Sequence, residues 1–492
     1  MPLSRSAGVL LPVAALPGAR HCGDFGRGAR RFVDHLAAHG FDTWQLLPLN
    51  PTEEIYGYSP YSAQSSFAVD ECYLSVRDLL GKSARSGLKR GKRRRRDRID
   101  YAAAKTHRAA ALDHAFATAS RQDLRGLAAW RADNPWVEDY ASWRVTADEL
   151  DDIHWPDWPR DHRERVRRTG PAVDRVAFGQ YVLSKQWTAL KSYANERGVR
   201  LFGDLPIYPH LNSADVFAHR HLFKLTKKGT PRKVAGVPPD YFSEDGQLWG
   251  NPVYDWPTLA SEGFTWWADR VAHALQTYDL LRLDHFIGIV RAYEVGAHAK
   301  TAKRGRYVDV PTDGLFAALR ERLGELPIVA EDLGADLPQV REAMAKWGLP
   351  GMRVLQFGFG GGPASPHLPH NYVPESVAYT GTHDNDTLRG WYKSADAVEK
   401  AAFRMYVAED KKLKSRTAAS HGVRLVLSSV AHLAVVPVQD VLGLPSSART
   451  NTPGTTRQNW RWRVREKELY AGDDWTRVRE WVERYGRKGN RG

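Results

Sequence analysis

Eight short apolar runs rich in Val, Ile and Leu, each bounded by turn residues and separated from the next by amphipathic stretches, punctuate the chain. Runs of this kind are expected for strands buried on both faces of a parallel sheet, where every strand needs a crossover to reach the next. They are Gly8 to Val13, Thr43 to Leu47, Val199 to Asp204, Leu280 to Asp284, Pro327 to Glu331, Arg353 to Phe357, Ser376 to Thr380 and Leu433 to Val436. Between them lie helical patterns: Ala29 to Ala38 puts Phe32, Val33 and Leu36 on one face, and Thr265 to Tyr278 and Asp313 to Leu323 behave likewise. Eight strands with intervening helices predict an α/β fold, a closed (β/α)8 TIM barrel.

Two gaps exceed a simple crossover. The stretch between the second and third runs, 73–195, carries Ala, Leu, Arg and Trp at helical spacing from Asp100 to Asn195 and predicts an inserted helical subdomain. The stretch between the third and fourth runs, 205–278, is rich in Pro and Gly around Val234 to Pro252 and predicts an elaborated active-site loop region. We expect a single catalytic barrel over 1–492 with no separate C-terminal β-sandwich domain.

Lys and Arg exceed Asp and Glu by 71 to 57, a surplus of 14 that would suit a polyanion. Its distribution argues otherwise. Lys89 to Arg98 holds eight basic residues and one acidic one, so half of the surplus sits in one segment. That segment lacks the interleaved aromatics of a single-strand binding platform and reads as a solvated loop, so no specific nucleic-acid partner is expected. Cys22 and Cys72 show no metal-ligand or disulfide spacing, which fits a reducing cytoplasm. Gly8 to Ala19 resembles a signal peptide, but Pro12 and Pro17 interrupt it, and no run is long enough to span a membrane.

In an eight-stranded barrel chemistry gathers where strands end at their carboxyl side. Asp204, Asp284 and Glu331 close three of the runs, and Asp384 follows the seventh in YTGTHDND. One acid at a strand end reads as a helix cap; several together read as a site. Retaining glycosyl transfer needs a carboxylate that attacks the anomeric carbon and a carboxylic acid that protonates the leaving oxygen, with environments that push the two pKa values apart. Arg282 shares a strand face with Asp284 and would keep it ionised. Glu331, behind Pro327, Ile328, Val329 and Ala330 and next to Asp332, would be helped to hold a proton by burial or by that like charge.

The motifs LLPVAALPG at the start, SPYS (Ser59 to Ser62), GDLPIY (Gly203 to Tyr208), VAGVPPDYFSEDGQLWGNP (Val234 to Pro252), RLDHF (Arg282 to Phe286), AEDLG (Ala330 to Gly334), GTHDNDT (Gly381 to Thr387) and NWRWR (Asn459 to Arg463) follow one another in a specific order. In this the chain resembles the amylomaltase or disproportionating-enzyme family of 4-α-glucanotransferases, glycoside hydrolase family 77, from about Ser6 to Arg463. The resemblance implies Asp284 as nucleophile, Glu331 as general acid/base and Asp384 as a third carboxylate on the sugar hydroxyls beside the reacting carbon. It implies that Arg282, His285 and His383 orient these groups or bind the same glucose. Tyr61, Trp249 and Phe357 would line the glucan cleft, with Gln247 as a polar contact. For Asp204 a structural role at the third strand and a direct sugar contact both stand.

The implied activity is transfer of α-1,4-glucan segments between maltooligosaccharides, starch or glycogen chains, with no metal or organic cofactor and a monomer or weak homo-oligomer. The alternatives are a hydrolase of the same clan and a non-catalytic binding barrel. The chain departs from the family where DHFRG is commonly found: here Ile287 follows Asp284-His285-Phe286. Tyr293 stands at a usual Trp, and Phe359 to His367 lacks an acidic residue and an Asn often seen there. These loops bear on acceptor sugars, and hence on chain-length preference.

Overall fold

The structure is a computed structural model that describes residues 3–81, 97–164, 167–239, 244–334, 337–408, 412–455 and 458–489. The sequence-based reading of the basic run falls mostly outside the described residues; of its last two, Asp97 pairs with Arg465 at 3.1 Å and Arg98 bridges to Trp462.

Eight parallel strands form one sheet: Ser6–Leu10, Thr43–Gln45, Arg200–Leu205, Leu280–Leu283, Ile328–Ala330, Gly351–Val354, Ser376–Tyr379 and Leu433–Pro437. Each of the eight predicted runs contributes one. Neighbours in sequence are neighbours in the sheet, and the first strand pairs with both the second and the eighth, from Ser6 opposite Leu433 to Leu10 opposite Pro437. The fifth and sixth strands are the two edges, joined by a backbone bond from Ala330 N to Pro350 O of 2.9 Å, so the sheet curls into a nearly closed (β/α)8 barrel. The sixth strand differs from expectation. It starts two residues earlier, at Gly351, and gives way at Leu355 to a 3-10 turn, Leu355–Phe357, which swings Phe357 out to the rim.

Alternation sorts the side chains of these strands. Leu10, Phe202, Leu280, Val329, Met352, Val354, Val377, Tyr379, Leu433 and Val435 form one buried apolar cluster that fills the barrel, separate from the large cluster its outer face makes with the helices. Between the second and third strands the described elements are helices, with Tyr101–Ala117, Arg121–Asp133, Trp136–Glu149 and Pro171–Asn195 as the long ones. Their starts are legible locally: Asp100 accepts from Ala103 N, Ser120 and Asp123 form a reciprocal capping box, and Pro171 opens the last helix.

Within 205–278 the structure holds more than loops. Lys233–Val237 and Gln247–Pro252 pair antiparallel, and Arg291–Gly296 and Arg306–Asp309 complete a separate four-stranded sheet. Tyr293, at the departure noted above, is buried in this sheet with its hydroxyl donating to Ala302 O at 2.8 Å.

Candidate active site

On the third, fourth and fifth strands the inward positions change character one step above the apolar filling. Phe202, Leu280 and Val329 are followed two residues later by Asp204, Arg282 and Glu331. Arg282, only 4% exposed, is the hub. Its Nη1 donates to Asp204 Oδ1 (2.8 Å), to Asp204 Oδ2 (2.9 Å) and to Asp284 Oδ1 (2.8 Å), while Nη2 lies 3.8 Å from Glu331 Oε2. A buried guanidinium needs acceptors to offset its lost hydration, and here the surrounding carboxylates hold it charged, well above the ordinary range. Asp204, whose side chain is wholly enclosed, also accepts from the Tyr61 hydroxyl at 2.8 Å. Both of its oxygens are thus taken by protein groups. Asp204 can lie at this depth partly because Gly203 beside it leaves room outside the barrel: a Cβ there would sit 2.1 Å from the Tyr278 ring.

Glu331 stands just beyond the fifth strand. Its carboxylate accepts the backbone N–H of Leu333 at Oε1 (2.8 Å) and that of His285 at Oε2 (2.7 Å). Burial is the main influence on this group, reinforced by the negative charge of Asp284. Together they outweigh Arg282 and the two N–H bonds and push the carboxyl up to about 7. The expected like-charge effect of Asp332 is corrected by the structure. Alternation turns that side chain to the other side, where it meets Arg353 at 3.0 Å and Met352 N at 2.7 Å. His285 holds a left-handed backbone, φ +48°, which costs roughly 1 kcal/mol for a residue with a Cβ. Burial lowers its imidazole to about 4, so the ring is neutral.

Asp384 sits at the mouth, its side chain 45% exposed, on the loop after the seventh strand. His383 Nε2 is 3.3 Å from Asp384 Oδ2, and Asn451 Nδ2 donates to Oδ1 at 2.6 Å. Desolvation pushes this carboxyl up, but the His383 ring, the Asn451 amide and Arg282 prevail and hold it well below the usual carboxylate range. Burial works to lower His383, yet the adjacent carboxylate raises it overall. Tyr61 stacks on the His383 ring (centroids 5.2 Å, 16°), and Trp460 leans on both at 5.9 Å. A continuous chain of contacts therefore runs from Asp384 through His383, Tyr61, Asp204 and Arg282 to Asp284 and Glu331.

Trp249 meets His285 edge-on at 4.7 Å and donates to Gln247 Oε1 at 3.2 Å, so this pair joins the cluster from the second sheet. Phe357, 42% exposed, makes its ring contact with His367 instead. Asn451 and Arg449 were not among the sequence candidates. Arg449 donates to the Asp384 carbonyl at 2.6 Å, and Asn451 N donates to the His383 carbonyl at 3.2 Å. The available signal was the polar run after the eighth strand, ending at NWRWR, but nothing in it says which loop it will meet.

A parallel barrel with three carboxyl groups gathered around one buried arginine, opening at the carboxyl ends of its strands, defines an enzyme of the barrel class that works on glycosidic bonds. Residues 11–468 match the model of glycoside hydrolase family 77, described as 4-alpha-glucanotransferase. The 4-alpha-glucanotransferase of Thermus thermophilus is 41% identical over 493 residues, covering 95% of this chain and 96% of that one. The chloroplastic/amyloplastic enzyme of Arabidopsis thaliana is 37% identical, over 98% of this chain and 86% of that one. The amylomaltase of Streptococcus agalactiae, solved in complex with acarbose, superposes with a TM-score of 0.93 at 32% identity, covering 99% of this chain and 100% of the other. The chain belongs to the 4-alpha-glucanotransferase family, and its activity is glucanosyl transfer.

Proposed function

We propose that the chain moves α-1,4-glucan segments between maltooligosaccharides or starch and glycogen chains by a double displacement with retention. Asp284, aimed by Arg282 and 23% exposed at its side chain, attacks the anomeric carbon. As the C1–O4 bond breaks, Glu331 gives its proton to the departing 4-oxygen. An incoming 4-hydroxyl then loses its proton to the Glu331 carboxylate while its oxygen attacks C1 and expels Asp284. Asp384, held ionised at the mouth, takes hydroxyls beside the reacting carbon in bonds that strengthen as positive charge develops.

The single observation that carries this reading is the one guanidinium that donates to Asp284 at 2.8 Å and lies 3.8 Å from Glu331, whose own carboxyl burial pushes up to about 7. A carboxyl that still holds its proton near neutral pH suits the acid's duty, and the aspartate fixed by the same arginine is placed for attack. Tyr61, Trp249 and Phe357 offer ring faces and edges for sugar, with Gln247, His285 and His383 as polar partners. Arg282 and Asp204 act from behind, since their side chains are 5% and 0% exposed. The segments 73–195 and 205–278 are insertions on this one catalytic barrel. Buried, free Cys22 and Cys72 support a reducing cytoplasm as its compartment; no described helix is long and apolar enough to cross a membrane.

Incubation with maltotriose tests the activity: glucose plus a ladder of longer glucans is expected, and production of shorter sugars alone would refute transfer. Asp284→Asn tests the assignment. It should lower turnover by roughly a thousandfold or more while glucan binding by calorimetry persists; surviving turnover would remove Asp284 from its role.

A further inference from the structure

The barrel is weakest where it closes, and the group that spans the gap is the residue after Glu331. The fifth and sixth strands share no ladder register; one backbone bond, Ala330 N to Pro350 O, joins them. Just above it Asp332 reaches across. Its Oδ1 accepts Met352 N at 2.7 Å and its Oδ2 pairs with Arg353 Nη1 at 3.0 Å, and the same Nη1 donates to Met352 O at 2.7 Å. Gly351 makes the space for this: a Cβ there would lie 2.5 Å from Asp332 Oδ2. The two side chains are only 16% and 19% exposed, so solvent screens this pair less than a surface one.

We propose that Asp332, clasped to Met352 and Arg353, is a positioning residue for Glu331. The proposal rests on reading Glu331 as the general acid/base. Asp332 lies between the Glu331 carboxylate and the Leu333 N–H that the carboxylate accepts. Anchoring Asp332 to the sixth strand therefore fixes the turn that delivers this bond and sets where the Glu331 carboxyl points. Without the clasp the turn keeps its backbone bonds to the fourth strand and the residues after it, Glu331 N to Leu283 O at 3.1 Å and Phe286 N to Glu331 O at 3.0 Å, but loses its side-chain tie to the sixth strand. A displacement near 1 Å at a proton-transferring group is worth roughly a hundredfold in rate.

The test separates proton delivery from general disruption by the choice of donor. Maltotriose leaves as a poor sugar alkoxide and needs the acid, whereas α-maltosyl fluoride leaves as fluoride, and azide as acceptor needs no base. Asp332→Ala should lower kcat on maltotriose roughly 10- to 100-fold with KM little changed, and should leave turnover of the fluoride with azide close to that of the parent protein. Glu331→Gln runs alongside and should show the same donor selectivity at larger amplitude. Equal loss on both donors in Asp332→Ala, while Glu331→Gln remains selective, would overturn the positioning role. Equal loss in Glu331→Gln would overturn the reading of Glu331 and this inference with it. Should Asp332→Ala not fold, Asp332→Asn carries the test, because it keeps an oxygen for Met352 N and gives up the ion pair. Donor-selective loss of smaller amplitude is expected from it, and equal loss would again overturn the role.

Discussion

At the residue scale the informative group is Glu331, because its proton is bound in the folded protein at pH values where an exposed glutamate has lost it. The ordinary value is 4.5 and burial carries it to about 7. Between those values the folded state holds more protons than the unfolded chain, so this group makes stability fall as pH rises, and the cost is complete above about 7. Glu331→Gln removes it. The variant is expected to melt a few degrees above the parent protein at about pH 8 and close to it at about pH 4; scanning calorimetry at both values checks this, and a variant that melts lower at the higher pH would contradict it. In the active protein the same proton predicts that kcat/KM for maltotriose declines as pH rises through about 7. Part of this was legible in the sequence. Arg282 and Asp284 are two residues apart on a strand, which suffices to place them on one face. The supposed influence of Asp332 on Glu331 was not, since adjacency in sequence puts two side chains on opposite sides of an extended segment.

At the element scale the loop bearing His383 and Asp384 is stapled at both roots by one buried carboxyl. Asp440, in the short helix Val438–Val441 that follows the eighth strand, accepts the Thr380 hydroxyl at Oδ2 (2.6 Å) and Leu388 N at Oδ1 (2.7 Å). Burial pushes this carboxyl up to about 7 despite both bonds. Asp440→Ala leaves a buried hydroxyl and a buried N–H without partners and should cost about 1–3 kcal/mol by urea unfolding. Asp440→Asn, which keeps an acceptor for Leu388 N, should cost less; equal losses would show that the bonds are not what matters there. The strands themselves were readable because each lies in a short, mostly apolar run bounded by turn residues. The four-stranded antiparallel sheet was not, because its strands are short and mixed in character, and among the described residues Lys233–Val237 finds Arg291–Gly296 across the strand Gln247–Pro252, three helices and a barrel strand.

For the whole molecule, the first and last described segments of the chain meet at the amino-terminal face of the barrel. Arg487, 0% exposed, donates to the carbonyls of Leu427 (2.6 Å), Ser6 (2.9 Å), His432 (3.1 Å), Ser429 (2.8 Å) and Ala431 (2.8 Å), tying the C-terminal segment to the starts of the first and eighth strands. This face serves stability rather than chemistry. Arg487→Ala is expected to lose at least about 3 kcal/mol in urea, with unchanged kcat on maltotriose where the protein is folded; a drop in kcat without a drop in stability would contradict that division. Nothing near Arg487 in the sequence announces this, for its acceptors are backbone carbonyls at the far ends of other elements. The sequence by itself determined the eight strands, their order, and the acids at three strand ends with a fourth beyond, because periodicity and apolar composition are local properties of a chain. Only the tertiary structure decided that one arginine would bind three of those acids, that Asn451 would hold the fourth, and that Asp332 would bridge the seam. Such contacts depend on which distant segments the closing barrel brings together, and on how much water that closure excludes.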